Sequence, residues 1–136
     1  MLGIKERENY VLKITSEPID PAIMYDLLAS SGAGSVVFHY AVVKPMAGAG
    51  GTTSYIDYAT DGDTATELND IATKLKTEFT VDDVLLIRRT GRLGLGDIIS
   101  LVAASSPNSE DAFEACKLGI SLLKKMKTIV KNEVCG

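Results

Sequence analysis

The chain has 136 residues, of which 46% are hydrophobic and 24% charged, and its formal net charge is −4 at pH 7. These values predict one globular domain spanning residues 1–136 and exclude a disordered chain. The negative charge argues against a nucleic-acid binder, and no apolar run approaches the roughly 18 residues of a membrane span. The charged start lacks the apolar segment of a signal peptide. We therefore expect a cytoplasmic protein without nucleic-acid or membrane partners.

The first third of the chain predicts two strands on either side of a short helix. Residues 10–16 alternate apolar and polar side chains, and residues 36–43 form a second apolar run of strand length. Between them, Asp20 is the expected N-cap of a helix that begins at Pro21 and ends in the serine- and glycine-rich residues 30–34. We expect three side chains of this helix to be buried: Ile23, Leu27 and Leu28.

The middle of the chain predicts a loop, a strand and a longer helix. Residues 48–51, GAGG, indicate a flexible loop, but they lack the Gly-Lys-Ser/Thr ending of a phosphate-binding P-loop. Residues 54–59 form a short strand, after which either Asp61 or Asp63 caps a helix. Four apolar positions of that helix share one face: Leu68, Ile71, Ala72 and Leu75.

The last third of the chain adds two strands, a helix and an extended end. Residues 84–89 and 98–104 are strands, and the glycine-rich residues 91–97 connect them. Residues 105–109, SSPNS, offer several N-caps to a helix. The β-branched residues 128–130 then favour an extended chain. The apolar face of this helix is expected to hold Phe113, Cys116, Ile120 and Leu123. The whole order predicts an α+β fold with helices packed on a mixed, mostly antiparallel sheet.

A cluster of lysines reverses the sign of the charge near the end of the chain. Between Ala115 and Asn132 there are five lysines and no carboxylate: Lys117, Lys124, Lys125, Lys127 and Lys131. Lysines are also common on the solvated ends of helices, where they suit the helix dipole. An ammonium group can bind anions as a point charge, or act as a nucleophile when other cations crowd it. Lys124 and Lys131 are seven residues apart, and the sequence leaves open whether they meet.

Other catalytic or metal-binding groups find little support in the sequence. His39 is the one histidine and lies in the middle of a strand, where such a residue is usually structural. Cys116 falls on the apolar helix face and Cys135 near the end, and the two form no metal-binding spacing. No Gly-x-Ser-x-Gly motif is present. We therefore expect neither a metal nor a resident cofactor.

Four motifs together carry a resemblance to a known family. They are RRTGRLGLGD at residues 88–97, AFEA at residues 112–115, the spacing K-x6-K-x-E that ends at Glu133, and AGSVVFHYAVVK at residues 33–44. The chain from Ala33 to Glu133 resembles the large, catalytic subunit of molybdopterin synthase. The resemblance implies an α/β-hammerhead-like fold with an added small antiparallel sheet.

The resemblance also implies an activity and partners. In that family a small subunit carries a thiocarboxylate on its C-terminal Gly-Gly. The large subunit transfers two sulfurs from it to a cyclic pyranopterin monophosphate, which forms the dithiolene of molybdopterin. The chain is thus expected to be a sulfurtransferase of molybdenum cofactor biosynthesis. It would form a homodimer that binds one small subunit on each protomer, a heterotetramer in all.

The resemblance assigns roles to single residues. Lys124 and Lys131 match the catalytic lysines of the family, and Lys44 stands where the family has a phosphate-contacting arginine at the end of its strand. The substrate-binding positions implied in this way are Lys44, Asn108, Ser109, Asn132 and Glu133.

Several positions depart from the family's pattern. Asn108 and Ser109 replace a histidine-arginine pair, and four other family residues are exchanged: Ala41 for glycine, Arg88 for histidine, Thr128 for proline and Val130 for tryptophan. Two hypotheses follow from these exchanges. The chain is either an enzyme with an altered pocket, or a catalytically degenerate paralogue that acts as a dimeric anion- or partner-binding module.

Overall fold

The computed structural model describes residues 4–7, 10–29, 31–45, 47–48 and 51–135. In this part of the chain there are nine strands: β1 Ile4–Arg7, β2 Tyr10–Thr15, β3 Ser35–Val42, β4 Ala47–Gly48, β5 Gly51–Thr60, β6 Asp83–Arg89, β7 Gly91–Gly94, β8 Ile98–Ser106 and β9 Ile129–Cys135. The helices are α1 Pro21–Met24, which continues into one 3₁₀ turn at Tyr25–Leu27, α2 Thr64–Glu78 and α3 Ser109–Lys124.

The larger sheet has five strands in the order β1-β2-β6-β8-β3. Strands β2 and β6 run parallel, whereas the other neighbouring pairs are antiparallel. The central strands β6 and β8 are buried along most of their length, because helices or loops cover both faces of the sheet. Helices on a mixed, mostly antiparallel sheet confirm the predicted α+β class.

A smaller antiparallel sheet forms around β5. Strand β5 pairs with β4, β7 and β9, each time antiparallel. The sequence predicted only part of this sheet, because residues 91–97 read as a connection and β9 only as an extended segment. Of the loop expected at residues 48–51, Gly48 and Gly51 pair as the ends of two strands, and residues 49–50 lie outside the described residues.

The three helices begin where short polar side chains cap them. Asp20 accepts a hydrogen bond from the backbone N–H of Ala22, with Pro21 in the first turn, as predicted. Asp63, one of the two candidates, caps α2 by accepting from the N–H of Thr66. Helix α3 is capped by Asn108. Such caps satisfy N–H groups that have no partner inside the helix.

Helices α2 and α3 pack on one face of the larger sheet, and α1 with its 3₁₀ turn covers the other. The predicted apolar face of α2 is buried as expected. In α1, Ile23 is 56% exposed and Met24 is buried in its place, while Leu28 is buried as predicted. The short 3₁₀ turn changes the rotation of the chain, so an α-helical spacing does not identify the inward side.

The buried face of α3 differs from the predicted one. Phe113 is 61% exposed, because the helix turns small residues towards the sheet: Ala112, Ala115, Cys116 and Gly119, with Leu123 at the end. These small residues let the helix approach closely. A Cβ added to Gly119 would lie 2.8 Å from Cγ1 of Val102 on β8. The large apolar residue at position 113 was therefore a poor marker of the core.

Candidate functional site

A cavity of about 700 Å³ opens where the larger sheet, the end of α3 and the smaller sheet meet. Strands β3, β6 and β8 form its floor, the last turn of α3 forms one side, and β5 and β9 form the other. Its volume is in the range of small-molecule sites. The apolar part of its lining includes Val43, Ile56, Ile99, Ile120, Leu123, Met126 and Ile129.

Three lysines from separate elements line this cavity. Lys44 follows β3, Lys124 ends α3 and Lys131 lies in β9, and all three are exposed at its edge. The sequence left open whether Lys124 and Lys131 meet on one site, and the structure places both on it. The family resemblance gave all three lysines roles in one site, and those roles stay predictions. The cavity thus concentrates positive charge in a chain whose net charge is −4.

Glu133 is a carboxylate in the lining of the cavity. Its Oε1 lies 3.9 Å from Nζ of Lys131, and its Oε2 accepts a hydrogen bond from the hydroxyl of Thr53 on β5. Alternation along β9 puts Lys131 and Glu133 on the same side of the strand. Glu133 therefore restrains the ammonium group of Lys131 at the cavity wall.

The turn between α3 and β9 is held by Glu67 from α2. Its carboxylate accepts hydrogen bonds from the N–H of Lys127 at 2.7 Å, and from the N–H and hydroxyl of Thr128 at 2.9 and 2.6 Å. Burial alone would raise the pKa of Glu67, but these hydrogen bonds outweigh it and lower the pKa. Because the turn separates Lys124 from Lys131, Glu67 fixes the relative positions of the two lysines.

Arg88 lies at the floor of the cavity. It comes from β6 and is buried, with Cζ 4.4 Å from the centroid of the Tyr58 ring on β5. Burial lowers the pKa of the guanidinium, and the neighbouring Tyr58 partly offsets this effect. Arginine nevertheless stays protonated in proteins. The floor of the cavity therefore carries a permanent positive charge beneath the exposed lysines.

His39 also lines the cavity, from β3. Its Nδ1 is buried and has no hydrogen-bond partner among the described residues. A histidine that serves only to stabilise a sheet normally has its ring nitrogens paired. His39 thus lines the cavity with one ring nitrogen unpaired, and its structural role stays a prediction.

Three of the expected substrate-binding residues do not line this cavity. Asn108 and Ser109 begin α3, and Lys124 ends it 16 residues later, a helix length of about 24 Å. The side chain of Asn108 accepts a hydrogen bond from the N–H of Asp111, so it serves as a helix cap. Asn132 alternates with Lys131 and Glu133 along β9, which turns it away from the cavity. A single chain does not bring Asn108 and Ser109 to the lysines, and Asn132, although next to Lys131, is not part of the cavity lining.

Sequence reasoning missed two residues that shape the site. In the sequence, Glu67 looked like an ordinary carboxylate in the first turn of α2. The residues that it contacts in the α3–β9 turn are about 60 positions away in sequence. Arg88 was visible as an exchange within the RRTG motif, but not as a residue of the cavity. A charged side chain at the end of an otherwise apolar strand was the available signal. Cys116 is confirmed as a core residue, and burial raises the pKa of its thiol to about 12.

The described residues contain neither a metal-binding cluster nor a membrane-spanning helix. No group of three or more histidine, cysteine or carboxylate side chains in the described ranges is arranged to hold a metal ion. None of the described helices is both long and apolar enough to cross a membrane.

Comparison with known proteins places the chain in a family. The family model described as MoaE protein matches residues 14–126. The chain belongs to the MoaE family. It is 25% identical over 125 residues to the molybdopterin synthase catalytic subunit of Caulobacter vibrioides, in a match that covers 90% of the chain and 82% of that protein. Relatives from Drosophila are longer, and the MoaE-family chain described here spans 34% of the length of the Drosophila melanogaster protein.

Solved structures share the fold of this MoaE-family chain. The crystal structure of molybdopterin synthase from Staphylococcus aureus has a TM-score of 0.82 at 25% identity, with 90% of each chain covered. The complex of subunits 1 and 2 of the molybdopterin-converting factor from Helicobacter pylori has a TM-score of 0.71 at 16% identity, with 91% of this chain and 84% of that chain covered. The family resemblance inferred from the motifs is thereby confirmed.

Proposed function

We propose that this chain is the catalytic subunit of a molybdopterin synthase, which transfers sulfur from a thiocarboxylated partner to a cyclic pyranopterin monophosphate. Membership of the MoaE family assigns the chain to molybdenum cofactor biosynthesis. One structural observation supports the specific activity. Lys44, Lys124 and Lys131 come from three separate elements and line a single cavity.

The cations of the cavity suit the charges of this reaction. Both the substrate's phosphate and the partner's thiocarboxylate are anions, and lysines bind such groups as point charges. Each transfer breaks an acyl carbon–sulfur bond of the thiocarboxylate and a carbon–oxygen bond of the pterin's side chain, and forms a carbon–sulfur bond at that side-chain carbon. Water attacks the acyl carbon of the partner's tail, which is released as a carboxylate. Lys124 and Lys131 hold the sulfur-bearing tail beside the substrate and stabilise the charge that develops during transfer.

The partner and the assembly are part of this proposal. The partner is a small protein with a C-terminal Gly-Gly thiocarboxylate, a tail without side chains that can enter a narrow opening. The chain itself forms a homodimer with one small subunit on each protomer. In that heterotetramer Asn108 and Ser109 of one protomer would still be available for contacts that a single chain does not make. The cytoplasmic location expected from the sequence belongs to the same proposal.

A second function remains in competition because of one observation. The positions of the family's histidine-arginine pair are held by Asn108 and Ser109, and neither residue carries a charge. Loss of one charge-assisted phosphate contact costs about 1.5–3 kcal/mol, or roughly ten- to a hundredfold in affinity. A paralogue with that loss could act as a dimeric anion- or partner-binding module without catalysis.

The deciding experiment is conversion of the cyclic pyranopterin monophosphate in vitro. The purified chain is mixed with substrate and a small subunit that bears the Gly-Gly thiocarboxylate, and the product is followed by mass spectrometry. We expect a product that carries two additional sulfurs. A small subunit with an ordinary C-terminal carboxylate is the matched control and should yield none. Absence of product with several thiocarboxylated subunits, under conditions where the complex forms, would support the binding module instead.

A further inference from the structure

The floor of the cavity holds a buried guanidinium without an ionic partner. Arg88 is 7% exposed, and its Nε has no hydrogen-bond partner within the described part of the chain. The ion pairs of that part of the chain do not include it either. Tyr58 stacks against the group and its hydroxyl is a hydrogen-bond acceptor for it, but a neutral phenol brings no negative charge. A buried charge is costly unless a group of opposite charge pairs with it.

Strand pairing places a second unpaired nitrogen near Arg88. Arg88 on β6 lies opposite Ser100 on β8, and Ser100 lies opposite Ala41 on β3. His39 is two residues before Ala41, so its side chain is on the same face of the sheet. His39, Ala41, Arg88 and Ser100 all line the cavity. The side chains of Arg88, His39 and Ser100 therefore share the face of the sheet that lines the cavity.

We propose that Arg88, with His39 on the same face of the sheet, binds the phosphate group of the substrate at the floor of the cavity. The inference rests on the proposed function, in that it assigns the substrate's phosphate to a particular pair of residues. A guanidinium presents a planar fork of N–H donors that matches two phosphate oxygens, and such charge-assisted hydrogen bonds are among the strongest in proteins. The bound phosphate would supply the counter-charge that Arg88 otherwise lacks.

Depth within the cavity favours phosphate over the partner's tail as the group at Arg88. The three lysines are exposed at the edge, where a protein tail enters, whereas Arg88 is buried at the floor. A small molecule enclosed by a cavity of about 700 Å³ can place its phosphate group there. Arg88, which replaces a histidine of the family, supplies a guanidinium within the same chain. It would thereby take over phosphate binding from the family's histidine-arginine pair, which this chain lacks.

The test measures binding of inorganic phosphate and phenyl phosphate to the intact chain by calorimetry or by NMR titration at constant ionic strength. The variants are Arg88→Met, which keeps much of the side-chain volume, and Arg88→Lys, which keeps the charge but not the fork. We expect affinity for both probes to fall about tenfold to a hundredfold in Arg88→Met. Arg88→Lys should recover part of that loss, and His39→Gln should cause a smaller one.

Arg89 gives a matched control on the same strand. It is the next residue of β6, and its Nη2 donates to the carbonyl of Ser16. Within the described residues its Nε is buried and unpaired like that of Arg88, but Arg89 is not among the residues that line the cavity. Arg89→Met should therefore leave phosphate affinity unchanged. Thermal unfolding of the unliganded variants separates a ligand-binding role from a structural one. Removal of an unpaired buried charge should keep or raise the melting temperature of Arg88→Met. Added phosphate should stabilise wild type and Arg89→Met, and it should stabilise Arg88→Met much less.

Three outcomes would overturn the inference. Equal phosphate affinity in wild type and Arg88→Met would do so, as would an unliganded Arg88→Met variant that unfolds at a much lower temperature. Loss of binding to a peptide ending in Gly-Gly, with phosphate binding intact, would assign Arg88 to the partner's carboxylate. These results are independent of the conversion assay. Phosphate binding that depends on Arg88, without any conversion, would leave the inference standing and reject the catalytic proposal. Conversion with an unchanged KM in Arg88→Met would reject the inference and leave the catalytic proposal standing.

Discussion

The two ends of α3 show how one helix separates a structural from a functional region. At its first turn, the side-chain oxygen of Asn108 accepts a hydrogen bond from the N–H of Asp111, and its amide donates one to the Asp111 carboxylate. The same carboxylate accepts a hydrogen bond from the N–H of Thr80. Every polar group named at this end has a local partner. At its last turn, Lys124 borders a cavity whose lining includes Arg88 and His39, each with an unpaired nitrogen. Among the described residues Arg89 has an unpaired nitrogen too but does not line the cavity, so it is the combination of unpaired groups with a cavity that distinguishes this end.

The comparison also shows why the family's motif is an incomplete guide to this chain. Asn108 and Ser109 match positions that bind substrate in the family, yet here they sit at the satisfied end of α3. The charge needed to bind an anion is found at the other end, where lysines of three elements and Arg88 meet. Predictions that alter each end separately can therefore break or sharpen the contrast.

The largest effect is expected from Lys131 at the functional end. Lys131→Ala removes an ammonium group from the cavity wall and leaves Glu133 without its ion-pair partner. We expect the rate of conversion to fall by at least about 100-fold, as is typical when a group that stabilises developing charge is removed. Steady-state kinetics with a saturating small subunit measures the change.

Lys125→Ala is the control for this prediction. Lys125 is an exposed neighbour of Lys124 that does not line the cavity. Its removal should leave conversion unchanged, and both variants should keep their unfolding free energy within about 0.5 kcal/mol. A Lys131→Ala variant that converts substrate at the wild-type rate would remove Lys131 from the site.

A smaller effect is expected at the turn that joins the functional end to β9. Glu67→Gln replaces a carboxylate that accepts three hydrogen bonds from Lys127 and Thr128. We expect a loss of about 1–3 kcal/mol in unfolding free energy and a lower rate of conversion, because the turn sets the spacing of Lys124 and Lys131. Chemical denaturation at several pH values measures the first quantity.

The pH dependence of this loss has a definite sign. The folded-state pKa of Glu67 lies below its ordinary value of 4.5, so its contribution to stability is fully present above that value. The contribution is lost as the pH falls through the lower, folded-state pKa. The stability difference between wild type and Glu67→Gln should therefore be constant near neutral pH and shrink below about pH 4.5. A difference that stays constant to pH 2 would show that the carboxylate's charge is not involved.

The sequence predicted the elements well and the site only in part. The contacts that begin a helix join residues close in sequence, whereas those that form the site join residues far apart in sequence. The caps at Asp20 and Asp63 were readable because a cap and its N–H are two or three residues apart. Phe113 misled because burial of a helix face depends on what it packs against, here a close approach at Gly119. The three lysines meet in one cavity because of the order in which the strands pair, and a local sequence pattern does not predict that order. Contacts of Glu67 with residues about 60 positions away are invisible for the same reason.

The smallest effect on activity is expected at the structural end of α3. Asn108→Ala removes the side-chain oxygen that accepts from the N–H of Asp111, and loss of such a cap costs about 0.5–2 kcal/mol of stability. Phosphate affinity of the chain should not change, because Asn108 lies a helix length away from the lysines. Asn108→Ser is the matched control: it keeps a capping oxygen without placing a second carboxylate beside Asp111, and should retain most of the stability. Calorimetry with inorganic phosphate and thermal unfolding of both variants measure the two quantities. A marked loss of phosphate affinity in Asn108→Ala, with the fold intact, would mean that the first turn of α3 also reaches an anion site. The contrast between the two ends would then hold for a single chain but not for the assembled protein.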